Sequence, residues 1–125
     1  MKFFFDNNIS ENLVQGMKAF GEEVMHLREK FAPETADQEW LKYIGENGIT
    51  LITRDKSIRW NPAESGALRR YKVGAFFLGG KNLNRCNLIQ QIVRNWPRVK
   101  QLSGNCSPPF AFHIPPNGTK FTQIF

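Results

Sequence analysis

The stretch Lys2-Phe3-Phe4-Phe5-Asp6-Asn7-Asn8 decides the architecture. An unbroken apolar run has no polar face to offer water, so as a strand it must be covered on both sides. The Asp-Asn-Asn that ends it is turn chemistry. A second run, Ile49-Thr50-Leu51-Ile52-Thr53, is rich in β-branched residues and leads into Arg54-Asp55-Lys56, the pattern of another buried strand. Two such strands separated by helical patterns predict an α/β chain with a mainly parallel sheet.

Working outward, Ser10 is a natural N-cap for a helix whose apolar stripe is Leu13, Val14, Met17 and Phe20, with Gly21 as its end. Glu23–Leu27 reads as a strand and Arg28–Glu34 as a polar loop. Thr35 and Gln38 match a capping box, opening a helix that buries Trp40, Leu41 and Ile44 before Gly48. Asn61-Pro62-Ala63-Glu64 opens a third helix with a cap, a proline at the first helical position and an acid at the third. Val73–Leu78 is a fourth strand closed by Gly79-Gly80, which reads as a strand-to-helix turn or, with Lys81, as a phosphate contact. The last helix starts near Asn84, turns Leu88, Ile89, Ile92, Val93, Trp96 and Val99 inward, and is expected to kink or break at Pro97. Pro109–Pro115 and Lys120–Phe125 read as short strands forming an edge hairpin. The expected fold is a three-layer α/β/α sandwich in a single domain, residues 1–125.

Bulk properties narrow the function. No apolar run approaches the roughly 18 residues of a membrane span, and the apolar start is too short for a signal peptide, so a cytoplasmic protein is expected. Cys86 and Cys106 lack metal-ligand spacing and are expected to stay thiols. His26 and His113 read as strand residues, which disfavours zinc. Residues 1–55 hold six Lys/Arg against ten Asp/Glu, a balance of −4, and residues 56–125 hold eleven against Glu64 alone, a balance of +10. Such asymmetry suits either an acidic pocket beside a nucleic-acid surface or simply a soluble basic protein.

Right-handed crossovers bring the carboxyl ends of the parallel strands to one edge, where ligands of such sheets bind. Asp6 and Asp55 follow two of those strands. Asp37, three and four residues before Trp40 and Leu41, shares their inward face at a helix start on that edge, though an acid there also complements the helix dipole. Glu39 projects with Lys42, Tyr43 and Glu46 on a solvated face. Glu64 completes a capping box, or holds metal directly or through water. Clustered carboxylates call for a hard divalent cation, Mg²⁺ or Mn²⁺, which acidifies water and stabilises charge on phosphate oxygens. Arg54, Lys56 and Arg59 near that edge, with Lys81 and Arg85 at the start of the last helix, suit an RNA backbone. Arg94 and Arg98 share an exposed helix face, and Trp60 stacks on a base or packs on the third helix. No Ser-His-Asp or Cys-His set and no Walker loop is present.

Phe4-Phe5-Asp6-Asn7-Asn8, Asp37-Gln38-Glu39-Trp40-Leu41, Thr53-Arg54-Asp55-Lys56-Ser57-Ile58, Pro62-Ala63-Glu64, Asn95-Trp96-Pro97 and Pro109-Phe110-Ala111-Phe112, in this order and spacing, resemble the PIN-like domain family. The nearest likeness is its compact VapC-like branch, associated with bacterial toxin–antitoxin pairs. The resemblance implies an Mg²⁺- or Mn²⁺-dependent endoribonuclease. It gives metal-site and catalytic roles to Asp6, Asp37 and Asp55, with Glu64 as a fourth acid and Glu39 as its rival. It also implies an RNA substrate, homodimerisation and inhibition by a cognate antitoxin. The chain departs from relatives in having Asn7 where many carry a second acid and no clear extra acid after the fourth strand. Two other classes stand beside this one. One is a catalytically silent PIN-like module that binds nucleic acid or protein, and the other is a receiver-like signalling domain phosphorylated at Asp55.

Overall fold

A computed structural model of the chain describes residues 2–54, 62–81 and 83–125, with helix residues 62–65 described as backbone alone. Asp55, Lys56, Arg59 and Trp60, the Asn61 cap and the side chain of Glu64 lie outside the described residues.

The elements run β1 (Phe3–Phe5), α1 (Glu11–Ala19), β2 (Val24–His26), a 3-10 turn (Leu27–Glu29), α2 (Asp37–Glu46), β3 (Thr50–Thr53), α3 (Pro62–Arg70), β4 (Gly74–Leu78), α4 (Arg85–Asn105), β5 (Phe110–Ile114) and β6 (Thr122–Gln123). They form one sheet in the order β2-β1-β3-β4-β5-β6. All neighbours are parallel except β6, which runs antiparallel to β5. The expected three-layer α/β/α sandwich is what the chain adopts.

Alternation along β1 builds both layers at once, because successive side chains of a strand point to opposite faces. Phe3 and Phe5 join Val14, Leu88, Ile92 and Trp96 beneath α1 and α4. Phe4 joins Trp40, Leu41 and Ile44 beneath α2, with its ring stacked on Trp40 at 5.3 Å. Phe3 meets Trp96 at 4.7 Å on the other side. All three phenylalanines are essentially buried, and truncating such a ring costs about 3–5 kcal/mol.

Helix boundaries follow local chemistry. Ser10 caps α1 through its hydroxyl, which accepts the Asn12 N–H at 3.2 Å. Gly21 (φ 91°) and Gly48 (φ 64°) end α1 and α2 in the left-handed region that glycine enters freely. α2 differs from expectation at its start. Ala36 is the cap residue with no side-chain hydrogen bond, so Thr35 is not the cap. Within the expected Arg28–Glu34 loop, Arg28 and Glu29 belong to the 3-10 turn.

Three further expectations are corrected on α1 and α4. Phe20 is the C-cap of α1 and is 92% exposed, and Ile89 and Val93 are 44% and 61% exposed. Helical periodicity directs Leu88, Ile92, Trp96 and Val99 into the core. Ile89 and Val93 lie one step round, where with Leu13, Met17 and Phe20 they wall an open apolar groove of about 460 Å³. α4 also continues through Pro97 for eight more residues. The carbonyl that Pro97 cannot pair belongs to Val93, an exposed residue. Among the described residues no helix is long and apolar enough to cross a membrane.

Candidate functional site: an acidic cleft at the β1–β3 edge

The chain leaves β1 toward β2 on one side and later leaves β3 toward β4 on the other. The crevice outside the carboxyl ends of β1 and β3 is therefore the switch point at which doubly wound sheets bind ligands. Asp6 stands at this crevice. Its backbone N–H donates to Ile52 O at 3.2 Å, continuing the β1–β3 ladder one residue past the strand.

Register then determines the carboxylate's neighbours. Phe5 pairs with Ile52, so the next residues along, Asp6 and Thr53, come side by side on the face shared with Phe4 and Leu51. The Thr53 hydroxyl donates to Asp6 Oδ2 at 2.8 Å, and the Asn7 N–H donates to Oδ1 at 2.5 Å. Asp6 is 6% exposed and Thr53 is fully buried. A carboxylate this enclosed is costly unless its oxygens are hydrogen-bonded, and each oxygen here has a donor.

Asp37 is the first residue of α2, and Trp40 and Leu41 on the same helix face are buried in the layer beneath. Asp6 and Asp37 line one cleft of about 320 Å³, together with Asn7, Leu27, Thr35 and Trp40. Two acids 31 positions apart in sequence thus face a common space, as their strand-end and helix-start positions predict. Glu39 is exposed on α2 and is not among the residues lining that cleft.

The cationic candidates are distributed unevenly. Arg54 is half-buried just past β3, its backbone N–H donating to Asn8 Oδ1 at 3.4 Å, which ties the exit of β3 to the turn after β1. Lys81 is exposed on the β4–α4 connection. Arg85 is exposed too and lines the apolar groove between α1 and α4 rather than the acidic cleft. Arg94 donates to Gly118 O and Pro116 O at 3.3 and 3.2 Å, and Arg98 lies over the Phe121 ring. Both hold the β5–β6 connection against α4. The Gly79-Gly80 turn is likewise structural: Gly79 O and Ile114 O both accept from the buried Gln91 Nε2.

His26 behaves as a strand residue. Its Nδ1 accepts the Arg28 N–H at 3.1 Å, so its Nε2 carries the proton and donates to Ile9 O at 2.7 Å. Thr53 and Arg28 are the residues that sequence reasoning passed over. A threonine in a buried strand two positions before a candidate acid was the available signal for Thr53. Arg28 carried none beyond standing next to a strand end.

The donor set of the cleft suits a hard divalent cation. It offers carboxylate and carboxamide oxygens, with no thiol or imidazole among the residues lining it. Among the described residues no group of three His, Cys, Asp or Glu is close enough to hold a metal ion, and the third acid in question, Asp55, lies outside them. The strand order is shared by many doubly wound proteins and does not itself choose a chemistry. Neither the curated proteins nor the solved structures contain a match to this chain. The family model of the PIN-like domain matches residues 1–80, the span holding β1, β3, α2, Asp6 and Asp37, and on that match the chain belongs to the PIN-like domain family.

Proposed function

We propose that the protein is a metal-dependent endoribonuclease whose working groups are Asp6, Asp37 and Asp55, with Glu64 or Glu39 as a fourth acid. The observation that carries this reading is the buried Asp6 carboxylate, held by the Thr53 hydroxyl and opening on the same cleft as Asp37. Nothing in strand stability requires an acid at this position, and an apolar residue would bury there at less cost.

The residues that would hold Mg²⁺ or Mn²⁺ are Asp6, Asp37 and Asp55, the last being the next residue after Arg54. A cation bound there supplies an acidified water and neutralises charge on the scissile phosphate. Thr53 and the Asn7 N–H keep the Asp6 oxygens aimed at the cleft, so that little reorganisation accompanies binding. Trp40 and Leu27 close the floor of the cleft and are themselves buried, so its accessible lining is mainly polar. Arg54, Lys56, Arg59, Lys81 and Arg85 are proposed to bind the RNA backbone, which makes affinity salt-dependent and weakly sequence-specific.

The toxin role, a cognate antitoxin and self-association extend this reading through the VapC-like resemblance. Growth arrest on expression, relieved by Asp55→Ala, is the expected sign of a toxin. The test of the core reading is cleavage of end-labelled RNAs by purified protein. Cutting is expected with Mn²⁺ or Mg²⁺, is abolished by chelation, and falls at least about 10²-fold in Asp6→Asn. Intact RNA under all these conditions contradicts it.

A further inference from the structure

A second recess of about 220 Å³ adjoins the acidic cleft and shares Asn7 and Asn8 with it. Its other walls are Ile9, Ser10, Glu11, His26 and Arg28. The two spaces differ in charge: the cleft is lined by two carboxylates, whereas the recess sets the Arg28 guanidinium beside a single carboxylate, Glu11. Resting on the nuclease reading above, we infer that this recess binds a phosphodiester next to the one being cleaved, with Arg28 as its anchor.

The backbone of Arg28 is fixed from several sides. Its N–H donates to His26 Nδ1, while Glu29 accepts the His26 N–H at 2.6 Å and pairs with Lys18. From this base the side chain reaches across to the loop after β1. Nε donates to Asn7 Oδ1 at 2.6 Å and Nη1 donates to Glu11 Oε1 at 3.0 Å. A guanidinium has five N–H donors, and Nη2 makes no hydrogen bond among the described residues. Planar donors left over beside an acidic cleft match the geometry of a phosphate oxygen pair.

The Glu11 contact does not oppose this role. Both partners are 47% exposed, and such pairs hold weakly in water. A phosphate arriving at Arg28 can displace Glu11 at little cost, and Asn7 stays as the neutral hinge between the two spaces. A polyanion laid over the edge then meets the cation-binding acids in one recess and a fixed positive charge in the next. Arg28 is thus a binding and positioning residue, not a catalytic one.

Fluorescence anisotropy of a short single-stranded RNA, titrated in an Asp6→Asn background to prevent cutting, tests this. Arg28→Gln keeps a donor for Asn7 and removes the charge. Its affinity is expected to fall about 5- to 10-fold, and the slope of log K against log salt to shrink by about 0.7, the value for one phosphate contact on a single strand. Arg28→Lys is expected to keep the slope. Glu11→Gln, which frees the guanidinium, is expected to tighten binding about 2-fold, whereas a purely structural latch predicts no tightening. Should Arg28→Gln weaken the fold, the Glu11→Gln result decides alone. Unchanged affinity and slope in Arg28→Gln, with wild-type protein still cutting RNA, overturns the recess alone. Wild-type protein that neither binds nor cuts RNA overturns the recess and the nuclease reading together.

Discussion

The two halves of the chain use charge in opposite ways. The acidic half, residues 1–55, places a buried carboxylate and a second acid on one cleft and sets Arg28 beside them. In the basic half, several cations are held by the fold. Arg94 and Arg98 hold the β5–β6 connection, Arg69 covers the Phe125 ring, and Lys100 pairs with Glu22 at 3.0 Å. Net charge by sequence segment therefore does not locate a binding surface. A cation matters for ligand when its donors face a recess, and much less when carbonyls and rings of its own domain already occupy it.

This contrast can be broken by substitution. The largest effect is expected at Thr53. Thr53→Val removes the donor to Asp6 without changing shape, and cleavage is expected to fall about 10- to 100-fold, while Thr53→Ser, which keeps a hydroxyl, restores most of it. An equal loss in both variants would make Thr53 a packing residue only.

The matching change in the other half is Gln91→Leu. Gln91 is fully buried on α4 and its Nε2 donates to Gly79, Ile114 and Pro115 carbonyls within 3.0–3.3 Å. Ile114 O keeps the Gly79 N–H as a donor, and losing the amide donor is expected to cost about 1–3 kcal/mol in denaturant unfolding, with RNA affinity unchanged. A drop in affinity at equal foldedness would show that Gln91 also positions Lys81 or Arg85 for the RNA.

Much of this was legible beforehand where it depended on local or periodic pattern. The triple Phe run announced a strand buried on both faces, Ser10 the cap of α1, and the spacing from Asp37 to Trp40 and Leu41 the face that Asp37 shares. What failed depended on how far neighbours extend. Ile89 and Val93 look like core by composition, yet α1 leaves them uncovered, and Phe20 has no partner surface at the end of its helix. Pro97 was expected to kink or interrupt α4, and the helix runs on past it without interruption. The Thr53–Asp6 bond joins residues 47 apart, and only the β1–β3 register brings them level. Nothing periodic in the sequence encodes that contact.

A smaller effect concerns pH. The Lys100 hydrogen bond holds the Glu22 carboxyl below the usual glutamate range. At Glu29 burial pushes upward, but Lys18 and the His26 N–H outweigh it and the carboxyl is again lowered. A carboxyl lowered by folding stabilises the protein above its unfolded pKa, about 4.3, and that stability is lost as pH falls through the folded value. Glu22→Gln and Glu29→Gln should each flatten the loss of stability below about pH 4.3 slightly. Each changes stability at pH 7 by about 0.2–1 kcal/mol at most, since both pairs are partly exposed. An unaltered acid limb in thermal melts would remove both carboxyls from the linkage.

The most direct probe of the acidic cleft is Mn²⁺ binding followed by electron paramagnetic resonance at neutral pH, without RNA. The wild-type protein should remove free Mn²⁺ from solution, and Asp6→Asn and Asp37→Asn should each weaken that binding about 10- to 100-fold while melting like the wild type. Identical titrations for all three proteins, or no uptake by any of them, would contradict a cation site shared by these two acids.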